Sequence, residues 1–328
     1  MKVIFIGGSG IISSASTELA VKKGIELYHI NRGNSTSIRT VPVEVKTIIS
    51  DIRNQAEASK ALEGYEFDTV VDWISFVPEH IENNFKIFKS KVKQYVFISS
   101  ASAYQTPPQK IPVTEETPLD NKYWQYSRDK IACEEFLKKN AEKYGMKYTI
   151  VRPSHTYDKT LIPIEGGYTI IDRMLKGKPV IVHGDGTSIW TLTNHRDFAK
   201  ALVGLLDNPG AMNDVFHITS DEWLTWDQIY LMMGEAFGVT PQLVHIPSEI
   251  IGKYDDFLKS TLLGDKTHSM IFDNSKIKSL VPEFVCETPF SKGAKEIADW
   301  YKNHPEQQKI DTRLDAIIEN ILEDYCVK

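Results

Sequence analysis

The chain has 328 residues, enough to bury a sizeable core in one large domain or two. Its 41% hydrophobic and 25% charged content is that of a soluble globular protein, and a net charge of −6 argues against a nucleic-acid or anionic-membrane surface. Cys133, Cys286 and Cys326 are few and widely spaced, which suits free thiols in a reducing compartment better than a disulfide framework or a metal site. Met1-Lys2 leads straight into an apolar strand rather than a signal peptide, and no apolar stretch approaches the ~20 residues that span a bilayer. The expectation is a cytoplasmic protein with no metal and no membrane partner.

Val3-Ile4-Phe5-Ile6 is a continuous apolar run, the pattern of a parallel strand buried on both faces. Gly7-Gly8-Ser9-Gly10 then turns the chain into a helix expected over 11–23. A glycine turn in this setting brings backbone N–H groups and a helix dipole to a bound pyrophosphate. Further strands are expected at 26–30, near 43–49, from 69, at 94–99 and at 148–151, with helices at 55–63, 78–90 and 123–144. Such alternation implies an α/β fold, a Rossmann-type doubly wound parallel sheet with helices on both faces. The second half is less regular. Helices are expected at 166–176, 194–206, 226–237, 290–301 and 313–325, with extended segments at 180–182 and 215–218. The expected division is a dinucleotide-binding domain over 1–158 and 194–220 and a smaller mixed C-terminal substrate subdomain over 159–193 and 221–328. The smaller part is expected at the sheet's carboxyl edge, where α/β folds place ligands.

Tyr126 and Lys130 stand four residues apart on the helix at 123–144, hence on one face. An ammonium beside a phenol favours the phenolate, which would suit Tyr126 as acid or base for a hydroxyl–carbonyl interconversion near neutral pH. Upstream, Ser99, Ser100 and Ser102 leave the carboxyl end of a strand, where small hydroxyls can hold a substrate oxygen. The bland reading is a core tyrosine, a solvated lysine and serines that satisfy a loop.

The glycine turn, Asp51-Ile52, the segment from Ser99 to Tyr104, the Tyr126-x-x-x-Lys130 pair and Arg152-Pro153 occur together in one order and spacing. In this the chain resembles the extended short-chain dehydrogenases/reductases, in their NAD-dependent epimerase/dehydratase branch, which includes UDP-galactose 4-epimerase. The resemblance implies Ser100, Tyr126 and Lys130 as the catalytic set, with Lys130 also on the nicotinamide ribose. It implies Gly7, Gly10, Ile11 and Ile12 at the pyrophosphate, Asp51 and Ile52 at adenine, and Trp73, Ser75 and Pro153 along the cofactor. Asn31 stands where NAD-preferring members carry an acid, and Arg32 can pair with a 2′-phosphate, so the cofactor is NAD or NADP with the balance toward NADP.

Several departures from the family bear on function. Ser13 takes the place of a third glycine. The stretch between Ser75 and Asn83-Asn84 is shorter than in the epimerases, which counts against their four-helix homodimer, the assembly the resemblance implies. Ser154-His155 follows Arg152-Pro153 where nucleotide-sugar enzymes carry a diphosphate-binding Asn, and Trp190 stands where they often carry an arginine. Ser102, His155 and Trp190 are the expected substrate contacts. The implied activity is hydride transfer at a hydroxyl or carbonyl of a sugar or sugar-nucleotide-like small molecule, ending as epimerisation or dehydration, or alternatively as NADP-dependent reduction of a small carbonyl compound. The other alternative is a cofactor-bound RNA-binding or regulatory protein without turnover, as among the chloroplast stem-loop-binding relatives, against which the acidic charge counts.

Overall fold

A computed structural model describes residues 1–34 and 38–325, so that Cys326 lies outside the described residues. The first half runs β1 (Lys2–Ile6), α1 (Ile11–Lys22), β2 (Glu26–Asn31), β3 (Lys46–Ile49), α2 (Gln55–Ala61), β4 (Phe67–Asp72), α3 (Pro78–Phe88), β5 (Val92–Ile98), α4 (Gln125–Asn140) and β6 (Lys147–Pro153). The second half continues β7 (His155–Tyr157), α5 (Tyr168–Leu175), β8 (Pro179–His183), β9 (Ile189–Trp190), β10 (Leu192–Asn194), α6 (His195–Leu205) and β11 (Asp214–Ile218). It ends with β12 (Leu224–Thr225), α7 (Trp226–Phe237), β13 (Gln242–Ile246), α8 (Ser248–Ile251), α9 (Asp256–Thr261), α10 (Ser275–Leu280), α11 (Phe290–Asn303) and α12 (Thr312–Tyr325).

Among the described residues, a seven-stranded parallel sheet has the order β11-β6-β5-β4-β1-β2-β3. The order reverses beside β1, whose Val3 pairs Leu27 of β2 on one side and Thr69 of β4 on the other. Ligands of doubly wound sheets bind at such a switch point. Alternation along each strand explains why the apolar runs are continuous. Val3 and Phe5 of β1 pack with Val71, Val96 and Val151 against Phe198 and Leu202 of α6. Ile4 and Ile6 pack with Val70, Phe97 and Ile150 against Phe85 and Phe88 of α3 and Leu137 of α4. Both faces are covered, as an all-parallel sheet requires.

The third strand begins at Lys46, later than the pattern predicts. Pro42 has no N–H for a ladder; Val45 N turns back to the Pro42 carbonyl at 3.1 Å, and Val43 is left exposed. The long helix predicted to Tyr144 is α4 followed by a 3₁₀ turn, Ala141–Tyr144, stopped by Gly145 at φ 72°.

A third core fills the smaller layer, built from Trp190, Trp226, Ile229 and Met233 with residues of α5, α11 and α12. Its sheets are short pairs: β8 with β13 and β7 with β10 are parallel, β9 with β12 antiparallel. α7 shows how its helices are delimited. Thr225 Oγ1 accepts from Gln228 N at 3.2 Å while Gln228 Oε1 accepts from Thr225 N at 2.9 Å, and Gly238 ends the helix at φ 82°. α12 docks through Ile318, Ile321 and Leu322, and its Asp315 and Glu319 meet Arg173 of α5 at 2.5 and 2.8 Å. No helix among the described residues is long and apolar enough to cross a membrane.

Candidate active site

The glycine turn comes first because backbone conformation builds it. Gly7 and Gly8 sit at φ +99° and +126°, a region that side chains disfavour. A Cβ on Gly8 would also lie 2.5 Å from the His29 ring, which packs beneath the turn, stacked on Phe5 and bonded to Thr17 Oγ1 at 3.0 Å. Burial holds His29 neutral, down at about 4. Ser13 proves more than a tolerated substitute for glycine. Its Oγ accepts from Gly10 N at 2.8 Å and fixes the entry to α1.

Two clefts adjoin at this turn. One, of about 350 Å³, is lined by Gly7, Gly10, Ile11, Ile12, Trp73, Ser100, Tyr126, Lys130 and Pro153. The other, of about 570 Å³, is lined by Asn31, Arg32, Asp51 and Ile52, and the two share Gly7, Ile74 and Phe76. The predicted cofactor residues therefore meet along one groove, apart from Ser75, which is fully buried and lines neither cleft. The groove fits a dinucleotide on its own chemistry. It offers a helix N-terminus with glycine backbone at its centre, and beside the turn the indole of Trp73, whose N–H has no partner among the described residues.

The proposed catalytic set converges from two elements. Ser100 lies two residues past the end of β5 and caps a 3₁₀ turn, Ala101–Ala103. Its Oγ lies 2.9 Å from Ser102 Oγ, which accepts from Ser127 Oγ at 2.8 Å, so the hydroxyl chain reaches the helix turn that carries Tyr126. Lys130 donates to the carbonyls of Ser75 at 2.7 Å and Ile98 at 2.9 Å, and its Nζ stands 5.7 Å from the centre of the Tyr126 ring. Burial pulls Lys130 down to about 8. Here the structure differs from the expectation of a phenol lowered by the lysine. Burial dominates and pushes Tyr126 up to about 12, opposed chiefly by a hydrogen bond with Ser100.

Ser75 acts through Lys130, and Asp72 fixes it there. Asp72 Oδ1 accepts from Ile74 N at 3.1 Å and Ser75 N at 3.0 Å, while Oδ2 accepts from Asn84 at 2.9 Å and from Tyr95. Two further supports escape a short-motif reading. Glu134, one turn beyond Lys130, takes Arg152 Nε at 2.9 Å, Arg152 Nη2 at 2.6 Å and Ser99 Oγ at 2.6 Å, locking α4 to the ends of β5 and β6. The i+4 step from Lys130 is the one sequence signal for it. Asn121 gives its amide N–H groups to Ser102 O at 2.8 Å and Gly264 O at 2.6 Å, and its Oδ1 accepts from the N–H groups of Tyr123 and Trp124. That amide is saturated.

The predicted substrate contacts separate. Ser102 is buried within the hydroxyl chain. His155 lies in β7, paired in register with Leu192; burial holds it neutral at about 3, with Lys266 adding to the effect. Trp190 is 2% exposed, belongs to the smaller layer's core and lines neither cleft, because β9 pairs it with Leu224. Among the described residues no group of three His, Cys, Asp or Glu side chains is placed to hold a metal.

With this geometry in view, known proteins give it a lineage. Residues 3–218 match the NAD dependent epimerase/dehydratase family. The chain is similar to the chloroplast stem-loop binding protein of 41 kDa b from Arabidopsis thaliana, 26% identical over 74% of this chain and 65% of that one. It is similar to the UDP-glucose 4-epimerase of Lactobacillus helveticus, 30% identical over 46% of this chain and 51% of that enzyme. The matches thus span between half and two thirds of these relatives' lengths. In fold it is similar to UDP-glucuronic acid 4-epimerase from Bacillus cereus, solved with UDP-glucuronic acid and NAD, with a TM-score of 0.74 at 19% identity over 92% of this chain and 99% of that one. Epimerase Mth375 of Methanothermobacter thermautotrophicus gives a TM-score of 0.75 at 15% identity, covering 94% of each chain. Since the sequence match runs from β1 to the last strand of the main sheet, the chain belongs to the NAD dependent epimerase/dehydratase family.

Proposed function

We propose that this protein is an NAD(P)-dependent enzyme that interconverts a hydroxyl and a carbonyl on a sugar or sugar-nucleotide-like substrate, with Tyr126 as acid and base. The observation that carries this is the convergence of Ser100, Tyr126 and Lys130 on the cleft that begins at the glycine turn. A nicotinamide bound there supplies a hydride donor or acceptor for the substrate carbon. Tyr126, protonated at neutral pH, gives its proton to a substrate carbonyl oxygen, and Ser100 keeps that oxygen and the phenol aligned. In the reverse sense Tyr126 takes the hydroxyl proton, and the buried Lys130 ammonium stabilises the tyrosinate across the ring face. Relatives solved with NAD and UDP-sugars, and one named 2′-dehydrokanamycin reductase, support the reaction class and leave epimerase, dehydratase and reductase outcomes open.

Residues 1–158 and 194–220 would hold the cofactor and the remainder the substrate. Asn31 and Arg32 line the adenosine end, which supports NADP as the better ligand. The free thiols of Cys133 and Cys286 suit a reducing, cytoplasmic setting. RNA binding is a second reading only through the likeness to the stem-loop binding protein, and the net charge of −6 opposes it. The test is one titration and turnover series, using NAD, NADP and a panel of UDP-sugars, free sugars and amino sugars. Tyr126→Phe should lower turnover by about 10²–10⁴-fold while cofactor affinity stays within about twofold. Full activity in that variant overturns the reading, and an NAD preference overturns the assignment of NADP.

A further inference from the structure

The hydroxyl chain behind Ser100 has a direction, set by how many hydrogen bonds each serine can give and take. Ser127 is fully buried in the first turn of α4, one residue after Tyr126, and its Oγ donates to Ser102 Oγ at 2.8 Å. Among the described residues that hydroxyl has no other acceptor. The next hydroxyl along is Ser100 Oγ, 2.9 Å from Ser102 Oγ. A serine hydroxyl has one hydrogen to give and two lone pairs to receive. Having accepted from Ser127, Ser102 turns its own hydrogen toward Ser100. Ser100 Oγ also accepts from Ser102 N at 3.2 Å. Both lone pairs of Ser100 are then taken from behind, and its O–H is left to point into the cleft that Ser100 lines with Tyr126 and Lys130.

The two elements that carry this chain are pinned to each other. Asn121 donates to the Ser102 carbonyl at 2.8 Å, and its Oδ1 accepts at 3.0 Å from the N–H of Trp124, the N-cap of α4. The 3₁₀ turn with Ser102 and the helix turn with Ser127 are thereby held at the spacing their hydroxyls need. Neither serine lines either cleft, so each acts on the reaction only through Ser100.

We propose, on the reading of Tyr126 as the acid/base, that Ser127 and Ser102 are positioning residues that hold the Ser100 hydroxyl as a hydrogen-bond donor toward the cleft. A Ser100 that only donates serves both directions of the reaction. It gives a hydrogen bond to the substrate oxygen where negative charge gathers, and to the phenolate when Tyr126 has lost its proton. A Ser100 free to turn would accept from the Tyr126 O–H instead, which favours the neutral phenol and draws its proton away from the substrate. Burial pushes the phenol up and the Ser100 contact pulls it down, as a donor to the phenolate does. The first member of the chain is what sets the order. Without the Ser127 hydroxyl, Ser102 accepts from Ser100 as readily as it donates, and the 2.9 Å contact no longer fixes where the Ser100 hydrogen points.

The test compares wild type, Ser127→Ala, Ser102→Ala, Ser100→Ala and the Ser100→Ala/Ser127→Ala double variant. Each is loaded with NADP or NAD, assayed on the panel of UDP-sugars, free sugars and amino sugars, and labelled with carbon-13 at tyrosine Cζ, with Tyr126→Phe identifying the Tyr126 resonance. Ser127→Ala and Ser102→Ala should each lower kcat by about three- to tenfold, the worth of one hydrogen bond, with KM within about twofold. Where Tyr126 takes the proton, the pH of half-maximal kcat should rise by about half to one unit. In the Ser100→Ala background, Ser127→Ala should have no further effect, since no hydroxyl is left to orient. The Tyr126 resonance should move the same way in Ser127→Ala as in Ser100→Ala. Ser127→Thr, which keeps the hydroxyl, should restore rate and resonance, and Ser102→Thr does the same duty against Ser102→Ala if the added methyl at Ser127 prevents folding. Wild-type kcat with an unmoved resonance in Ser127→Ala and Ser102→Ala overturns the proposal, as does an effect of Ser127→Ala that persists in full without Ser100. If no sugar in the panel is turned over, the resonance decides: a shift shared with Ser100→Ala supports the chain and an unmoved signal overturns it. Each of these results leaves the acid/base reading standing, whereas full activity in Tyr126→Phe removes that reading itself.

Discussion

The dinucleotide groove and the smaller layer next to it are made in opposite ways. The groove is largely backbone. A four-residue turn with φ +99° and +126° at Gly7 and Gly8 and a helix N-terminus supply its centre, all within one stretch of chain. The smaller layer is assembled from side chains far apart in sequence, as when His183, Ser188 and Trp226 all meet the Lys266 carbonyl. A backbone-built site constrains residue type at fixed offsets, because only glycine takes those angles without strain. A side-chain-built site constrains distances in space and leaves little trace at fixed offsets.

The largest expected effect breaks the joint that holds α4, which carries Tyr126 and Lys130, to the main sheet. Glu134 and Arg152 are almost fully buried, and their pair joins α4 to β6 while Ser99 hangs the end of β5 on the same carboxylate. Glu134→Gln leaves a buried guanidinium without its counter-charge, a loss of about 3–5 kcal/mol. Denaturant unfolding of the two proteins measures it. A fall under about 1 kcal/mol would mean that packing alone holds α4 in place.

The same contrast explains what the sequence disclosed. Buried parallel strands are continuous apolar runs, so β1, β4, β5 and β6 were legible, as was the turn, and Ser100, Tyr126 and Lys130 line one cleft beside it. α7 was legible to the residue, since Thr225, Gln228 and Gly238 mark both its ends. Strands of two or three residues, such as β9 and β12, have no period to detect. The π-turn at Leu262–Lys266 has none either, so residues 238–289 gave no expected element. Trp190 stands where nucleotide-sugar enzymes often carry an arginine, but which way it faces depends on pairing with Leu224, a contact outside any local window.

An intermediate effect compares the regions through acid sensitivity. His29 lies under the glycine turn and His183 on the π-turn, 1% and 5% exposed, and burial holds each at about 4. Their folded pKa values lie below the unfolded value of 6.5, so the unfolded chain takes up protons first. Stability from these groups is complete above about pH 6.5 and is lost as pH falls toward 4, at about 1.4 kcal/mol per unit for each histidine. Unfolding at pH 7.5 and pH 5 should differ by about 2 kcal/mol per histidine, above the range where most carboxylates titrate. His29→Gln should remove about 2 kcal/mol of that difference, as should His183→Gln. A flat profile would show that water or a partner satisfies the protonated rings in the fold.

The smallest effect tests whether the turn is backbone alone. Ser13 Oγ accepts from Gly10 N, so Ser13→Ala removes one hydrogen bond at the mouth of the groove, worth about 0.5–1.5 kcal/mol of stability. Ser13→Gly restores the family's third glycine and removes the same bond, with about 1 kcal/mol more lost from helix propensity. If the serine only fills the place of a glycine, Ser13→Gly should tighten cofactor binding by relieving crowding between α1 and the strands. If it shapes the turn, both variants should bind the dinucleotide more weakly, by up to about tenfold for a bond of this size. The contact at 2.8 Å favours the second outcome, because the hydroxyl satisfies an N–H that the first turn of a helix leaves without an intrahelical partner. A weakening in both variants would show that one side chain has entered even the part of the site most nearly made of backbone.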